Sequence, residues 1–295
     1  LIALLLCFGF VFTSCDFLAQ YLPDLPFGEG AQSESESDTE EEEEEEESTV
    51  DTEMWEFTLN RSGGYSISCK DKNVKVIEDI PFIISGKLVT EIAPEAFKDC
   101  DRLEKVVLHE RIRVIGESAF EGCLSLKEVQ VPDELKTIGP RAFYNCISLE
   151  TFDFPKDLEA IGNDAFNYCK LLKKAELGEN LTMIGENAFY KCLELKDVSL
   201  GGSVQEIGAR AFYGCTKLET VNVPNSVVAI GDAAFAFCPS ITGIQIPTSV
   251  TYMGTRVFRG SSQVVVFCDF EEKPTMWDAH WNDSTDATVY WKGQW

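Results

Sequence analysis

Residues 180–202 read NLTMIGENAFYKCLELKDVSLGG, and residues 203–225 repeat them as SVQEIGARAFYGCTKLETVNVPN. Working outward from this pair, Phe189 and Phe212 belong to a column of eight. Its other members are Phe97, Phe120, Phe143, Phe166, Phe235 and Phe258, every step being 23 residues. Cys100, Cys123, Cys146, Cys169, Cys192, Cys215 and Cys238 follow each Phe by three. Ile92, Ile115, Ile138, Ile161, Ile184, Ile207 and Ile230 precede it by five, with Met253 in the eighth place. Gly116, Gly139, Gly162, Gly185, Gly208, Gly231 and Gly254 come next. A period of this length held without insertion marks a solenoid, here eight 23-residue units over 88–271.

One unit explains the pattern. Leu195-x-x-Val198-x-Leu200 alternates apolar and polar, as a half-buried strand does. Its counterparts in the flanking units are Ala175/Leu177 and Val221/Val223, so a parallel sheet is expected to grow by one strand per repeat. Ala175 is the small residue in a column that holds Phe152 and Val129 earlier. The Gly after each Ile is expected to turn at positive φ, where a Cβ would clash. Glu186-Asn187-Ala188-Phe189 is predicted to make a single helical turn that points Phe189 inward. No unit can bury its own stripe, so stability is a nearest-neighbour sum. Each fully buried Phe or Leu contributes about 1.5–3 kcal/mol, and no disulfide or metal is needed.

The consensus these residues carry, LxxVxLPxxLxxIGxxAFxxC, resembles the BspA-like (Treponema pallidum type) leucine-rich repeat family over 88–271. The resemblance implies a curved leucine-rich-repeat solenoid with a parallel β-sheet on the concave face and short helical turns opposite. It also implies a bacterial cell-surface location and roles in adhesion and protein binding.

Charge is unevenly spread. The 295 residues carry a net −25, and residues 1–60 hold 17 Asp and Glu with no Lys or Arg, leaving −8 for the rest. An acidic folded part argues against nucleic acid, whose phosphates need clustered Lys and Arg. Residues 1–12 are an apolar run broken by Gly9, too short to span a bilayer and of signal-peptide length. We read 1–14 as a truncated lipoprotein signal peptide. Phe12-Thr13-Ser14-Cys15 resembles a bacterial lipobox, which implies lipidation of Cys15, an exported chain and a lipid anchor at the envelope. Plain secretion is the alternative. Residues 29–53 hold 14 acidic residues, among them Glu40 to Glu47 unbroken. Such a segment cannot bury enough apolar surface to fold, so 15–53 reads as an acidic tether. Weak binding of cations or a basic partner is the sharper reading.

Solenoid ends must be covered. Residues 54–87 read as an N-terminal β cap, since two alternating segments flank Asn60-Arg61-Ser62-Gly63-Gly64, a hairpin signal. Residues 272–295 read as an aromatic C-terminal cap holding Trp277, Trp281, Trp291 and Trp295. A sugar-stacking platform is the alternative for those rings. The family's C-terminal flank is similar, with a Pro and spaced Trp, which favours the cap.

Nothing in the sequence reads as an active site. His109 and His280 are the only histidines, neither lies in a catalytic or metal-binding motif, and no phosphate loop or nucleophile elbow occurs. His109 stands where Pro132, Pro155, Pro224 and Pro247 stand in other units. We assign no enzyme activity, metal or cofactor. Stacked coils hold equivalent Cβ atoms about 4.8 Å apart or more, beyond the ~3.8 Å of a disulfide. A column of thiols pointing one way also cannot form a zinc tetrahedron. The cysteines read as small buried hydrophobes. Ser261, in the eighth place, reads as a less buried terminal residue.

What remains is the outward surface of the strands. One column runs Val107, Gln130, Asp153, Glu176, Ser199, Asn222, Gln245, and its neighbour Lys105, Glu128, Thr151, Lys174, Asp197, Thr220, Gly243. They vary and are mostly polar while the core columns stay fixed. Curved repeat proteins bind on such a face, and Asp153, Glu176 and Asp197 favour a protein ligand with exposed basic groups. Two functions follow: a surface-exposed, lipid-anchored adhesin for host or neighbouring-cell proteins, or an envelope or periplasmic scaffold without external ligand. Carbohydrate is a weaker third partner, and the membrane is met only through the anchor.

Overall fold

The computed structural model describes residues 54–283 and 287–294. The signal-peptide, Cys15 and acidic-tether assignments therefore lie outside the described residues. Within them the chain winds as parallel coils 23 residues apart, joined by three backbone ladders.

The longest ladder follows the Ile column, for which a buried stripe but no strand is expected from the sequence. Two-residue strands such as Ala160–Ile161, Met183–Ile184 and Glu206–Ile207 pair in parallel, one per coil. They continue through Lys87–Ile92 to the antiparallel hairpin Trp55–Leu59 and Tyr65–Cys69, making an eleven-stranded sheet. The expected sheet along LxxVxL is present in three pieces of three strands each. The central piece is Lys174–Glu176, Asp197–Ser199 and Thr220–Asn222. Residues 151–154 join no ladder. Phe152 and Phe154 are both inward and buried there, against Phe143 at 5.2 Å and Phe166 at 5.1 and 5.2 Å. Two rings on one rung exceed the space that a strand spacing of about 4.8 Å leaves. The backbone yields, and the small Ala175 on the next coil makes room.

The third ladder replaces the predicted helical turn. No α-helix forms among the described residues; backbone handedness alternates instead. The residue two before each core Phe has φ of 52–58°, as at Ser118, Arg141 and Asn187, and the residue two after it is left-handed too. Alternation aims every second N–H at the next coil. Glu95, Phe97 and Asp99 donate to the carbonyls of Glu117, Ala119 and Glu121, and the same three bonds recur along the solenoid. Inter-coil bonding thus wins over a local helical preference, which could satisfy only one short turn.

The Gly column has a different cause from the one expected. None of Gly116, Gly139, Gly162, Gly185, Gly208, Gly231 and Gly254 has positive φ. A Cβ on Gly185 would lie 2.5 Å from the carbonyl carbon of Gly162. Glycine is needed because the coils touch backbone to backbone.

Inside, the eight Phe rings form one continuous stack, fully buried, with centroids 4.9–6.0 Å apart and planes within 14°. The cysteines are free and buried, as expected, but they also bond. Each thiol from Cys123 to Cys238 donates to the Phe carbonyl 26 residues earlier at 3.0–3.2 Å. Ser261 is fully buried, contrary to expectation, because its hydroxyl makes the same bond to Phe235 at 2.8 Å. It also accepts the Cys238 N–H at 2.9 Å. The stack is closed at each end by an indole edge: Trp55 on Phe97 and Trp281 on Phe258, both at 6.2 Å and 82°.

Candidate binding surface

The short strands set the outward columns. In the central piece, register places Lys174, Asp197 and Thr220 side by side, and Glu176, Ser199 and Asn222 beside them. Ala175, Val198 and Val221 point inward between these columns. All six outward residues are exposed and form one contiguous patch across three coils. Lys105, Glu128, Val107 and Gln130 are paired likewise on the preceding piece, where Gln130 is exposed and the other three are half-buried. Thr151 and Asp153 are exposed but stand on the segment that has left the ladder, so they are not held in register with either piece.

Electrostatics differ from the simple acidic face expected. Lys174 and Glu176 pair at 2.5 Å, and the Glu176 carboxylate holds the Lys174 ammonium above its ordinary range. Lys105 pairs with Glu78 at 3.2 Å, and Gln130 donates to Glu128 at 2.6 Å. Asp153 and Asp197 form no ion pair among the described residues, although Asp197 stands beside Lys174 in the ladder. The acidity offered to a ligand is therefore centred on these two carboxylates.

A flanking column was not anticipated. Glu104–Lys127, Glu150–Lys173 and Lys196–Glu219 pair across adjacent coils at 2.8, 2.6 and 3.4 Å. The signal was in the sequence, as opposite charges one period apart. The outward face also runs beyond the last full repeat. Val265–Cys268 pairs in parallel with Thr288–Trp291, and Phe267 stacks on Tyr290 at 5.9 Å. Trp277 is buried, with its indole N–H on the Val250 carbonyl at 2.9 Å, and Trp281 is buried beside it. Their packing is that of a cap, and neither offers a free face for a sugar.

Catalytic chemistry finds no support among the described residues. No group of three or more His, Cys, Asp or Glu side chains converges as a metal site would. His109 packs against Phe82 at 5.0 Å, and burial pushes its imidazole below the ordinary range. Burial raises the ladder thiols, Cys100 to about 11 and Cys238 to about 12, which disfavours the thiolate that a nucleophile or metal ligand needs. A cavity of about 460 Å³ opens between the hairpin residues Asn60, Gly63 and Gly64 and the strand residues Lys87, Thr90 and Glu91. It holds no triad of catalytic groups.

A family model for the BspA type leucine rich repeat region matches in six copies over residues 90–204 and 182–269. No curated protein sequence matches the chain. Among solved structures, a leucine-rich repeat protein of Treponema pallidum is 29% identical, with a TM-score of 0.54, covering 73% of this chain and 90% of its own. A leucine-rich repeat protein of Bacteroides ovatus is 25% identical, with a TM-score of 0.61, covering 81% of this chain and 70% of its own. A leucine-rich cell surface protein of Faecalibacterium prausnitzii shares the fold at 21% identity and a TM-score of 0.52, over 76% of both chains.

Proposed function

The chain belongs to the BspA-type leucine-rich repeat family, and from that premise we propose that it is an adhesin, tethered at the cell surface and recognising proteins through its outward strand columns. Leucine-rich repeat proteins are protein-interaction scaffolds, and the described residues hold no group of side chains arranged as a metal site. One observation carries the reading. Lys174, Glu176, Asp197, Ser199, Thr220 and Asn222 are exposed and in register on a backbone whose inward residues are invariantly apolar. A rigid rung spacing with freely varied outward residues is how a repeat protein presents a ligand surface. The unpaired Asp153 and Asp197 favour a partner with exposed basic groups, whose approach opposite charge would steer. Lipidation at Cys15 and an acidic tether over 15–53 would hold that surface away from the membrane.

The test reverses charge on the surface alone. Asp153→Lys, Glu176→Lys and Asp197→Lys together leave the core untouched, so circular dichroism should be unchanged. Attachment to protein ligands recovered with the wild-type chain from host or neighbouring-cell surface extracts should be lost, and wild-type attachment should weaken with salt. Undiminished binding by the triple variant refutes this face as the site. Protease shaving of intact cells separates the adhesin from a buried envelope scaffold, since only the former releases the repeats. Mass spectrometry of the mature N-terminus decides whether Cys15 carries lipid.

A further inference from the structure

The turn side of the coils carries a second surface. Tyr144, Tyr168, Tyr190, Tyr213 and Phe237 form a row across five successive coils, with ring centroids stepping by 6.4, 5.7, 4.8 and 5.1 Å. They do not occupy one sequence position. Tyr144, Tyr190 and Tyr213 directly follow the core Phe, where the other two coils have Asn167 and Ala236. In those two coils the ring comes one residue later, as Tyr168 and Phe237, and closes the gap.

That substitution has a conformational cost. The position two after the core Phe is left-handed in every coil, and the others fill it with Asp99, Gly122, Asn145, Lys191, Gly214 and Gly260. Tyr168 and Phe237 hold φ of 62° and 57° there. A bulky aromatic residue in this region is a genuine outlier, and strain of this kind points toward function. Core packing does not require them, since Tyr168 is half-buried and Phe237 is 38% exposed.

Cations cover the row. Arg141 lies 4.1 Å over Tyr144, Lys191 lies 5.3 and 5.4 Å from Tyr168 and Tyr190, and Arg259 lies 5.8 Å over Phe237. Lys170 is 5.7 Å from Tyr168. The nearby carboxylates Glu121 and Glu186 are engaged by Arg141 and Arg210. Lys170, Lys191 and Arg259 have no carboxylate partner among the described residues, in a chain of net charge −25.

We propose that this row is a second interaction surface, separate from the strand columns, that docks an extended acidic segment of a partner protein. Ring orientation decides the chemistry. Tyr190 and Tyr213 stack within 10°, and cations lie near the Tyr144, Tyr168, Tyr190 and Phe237 rings. A sugar ring would have to compete with those rings and cations for a face to stack on. What the row offers a ligand is phenol O–H donors together with ammonium and guanidinium groups. All of these select acceptors and negative charge. Aromatic residues with Arg are also the composition of protein-interface hot spots. At about 3.3 Å per residue, a strand of about seven residues spans the row.

The experiment measures anisotropy of fluorescein-labelled octaglutamate with the full chain at low salt, against octaglutamine. We expect octaglutamate to bind and octaglutamine not to. Lys170→Gln, Lys191→Gln and Arg259→Gln together should weaken binding by about tenfold or more. Tyr168→Gly and Phe237→Gly should weaken it comparably while leaving the melting temperature unchanged or higher, because glycine relieves the left-handed strain. Equal binding of the two peptides, or indifference to the variants, overturns the proposal. A lower melting temperature in the glycine variants would mean that the rings serve packing, and overturns it as well. Binding of a uronate oligosaccharide instead of the peptide rejects the acidic polypeptide as occupant.

Discussion

Phe166→Ala removes a fully buried ring that touches four others. Phe143 and Phe189 stack on its two faces at 5.1 and 5.4 Å, and Phe152 and Phe154 meet it at 5.1 and 5.2 Å. Phe120 is equally buried but meets only Phe97 and Phe143, at 4.9 and 5.1 Å. Truncating a core Phe costs about 3–5 kcal/mol, and each oriented aromatic pair contributes about 0.5–1.5 kcal/mol beyond area. Two extra pairs therefore place Phe166→Ala about 1–3 kcal/mol beyond Phe120→Ala. Urea titration of both variants, compared at a shared slope, reads the difference from the midpoints. Near- and far-ultraviolet circular dichroism should trace the same transition, because a repeat array can lose cooperativity. Equal costs, or a larger cost at Phe120, would refute the idea that Phe152 and Phe154 left the ladder to pack on Phe166.

Gly185→Ala drives a Cβ to 2.5 Å from backbone and should abolish or severely impair folding, while Gly243→Ala meets nothing nearer than 3.7 Å and should change stability by less than about 0.5 kcal/mol, both read by thermal melts. The nine buried thiols, from Cys69 to Cys268, should resist a thiol reagent in the native state and react only on unfolding; rapid labelling of any ladder cysteine contradicts the burial described. Burial holds the Glu91 carboxyl above the ordinary range. A raised carboxyl destabilises the fold as pH climbs from the unfolded pKa through the folded one, and does nothing below both. Glu91→Gln should therefore exceed the parent in melting temperature at neutral pH, with the gap closing below about pH 4; a gap that widens in acid rejects this.

The Phe, Ile and Cys columns were legible because burial imposes the period on residue type directly. Causes hidden behind a residue type were less so. A conserved-looking Gly column states that no Cβ fits, without saying whether dihedral or proximity forbids it, and here proximity does. Glu186-Asn187-Ala188-Phe189 has local helical propensity, yet N–H groups with carbonyl partners one coil away override it. Phe152 and Phe154 announced excess volume, and Ala175 announced relief. Whether rings or backbone would move is a packing outcome that no single unit encodes. The outward columns of the strands were legible from the alternation, but their net acidity is lower than the residue types imply because ion pairs form between residues that only folding brings together. The aromatic row escaped notice because its members shift register between coils.

The bonds from Phe97 to Ala119, Phe120 to Ala142 and onward to Val257 have a collective consequence. Each Ala–Phe amide accepts from the coil before it and donates to the coil after it, so successive peptide dipoles lie head to tail along the solenoid. Two companion rows, through Ser118 and Gly122, run the same way. Aligned amides in series polarise one another and sum to a macrodipole, as in a helix. Its carbonyl end faces the hairpin, where the Cys69 N–H caps the Ala96 oxygen at 3.2 Å, and its N–H end, at Phe258, faces the C-terminal cap. Rows on the strand side, such as Gly116 to Ile92 and Lys136 to Arg113, donate the opposite way, so the dipole belongs to the turn side of the coils and is opposed across the solenoid.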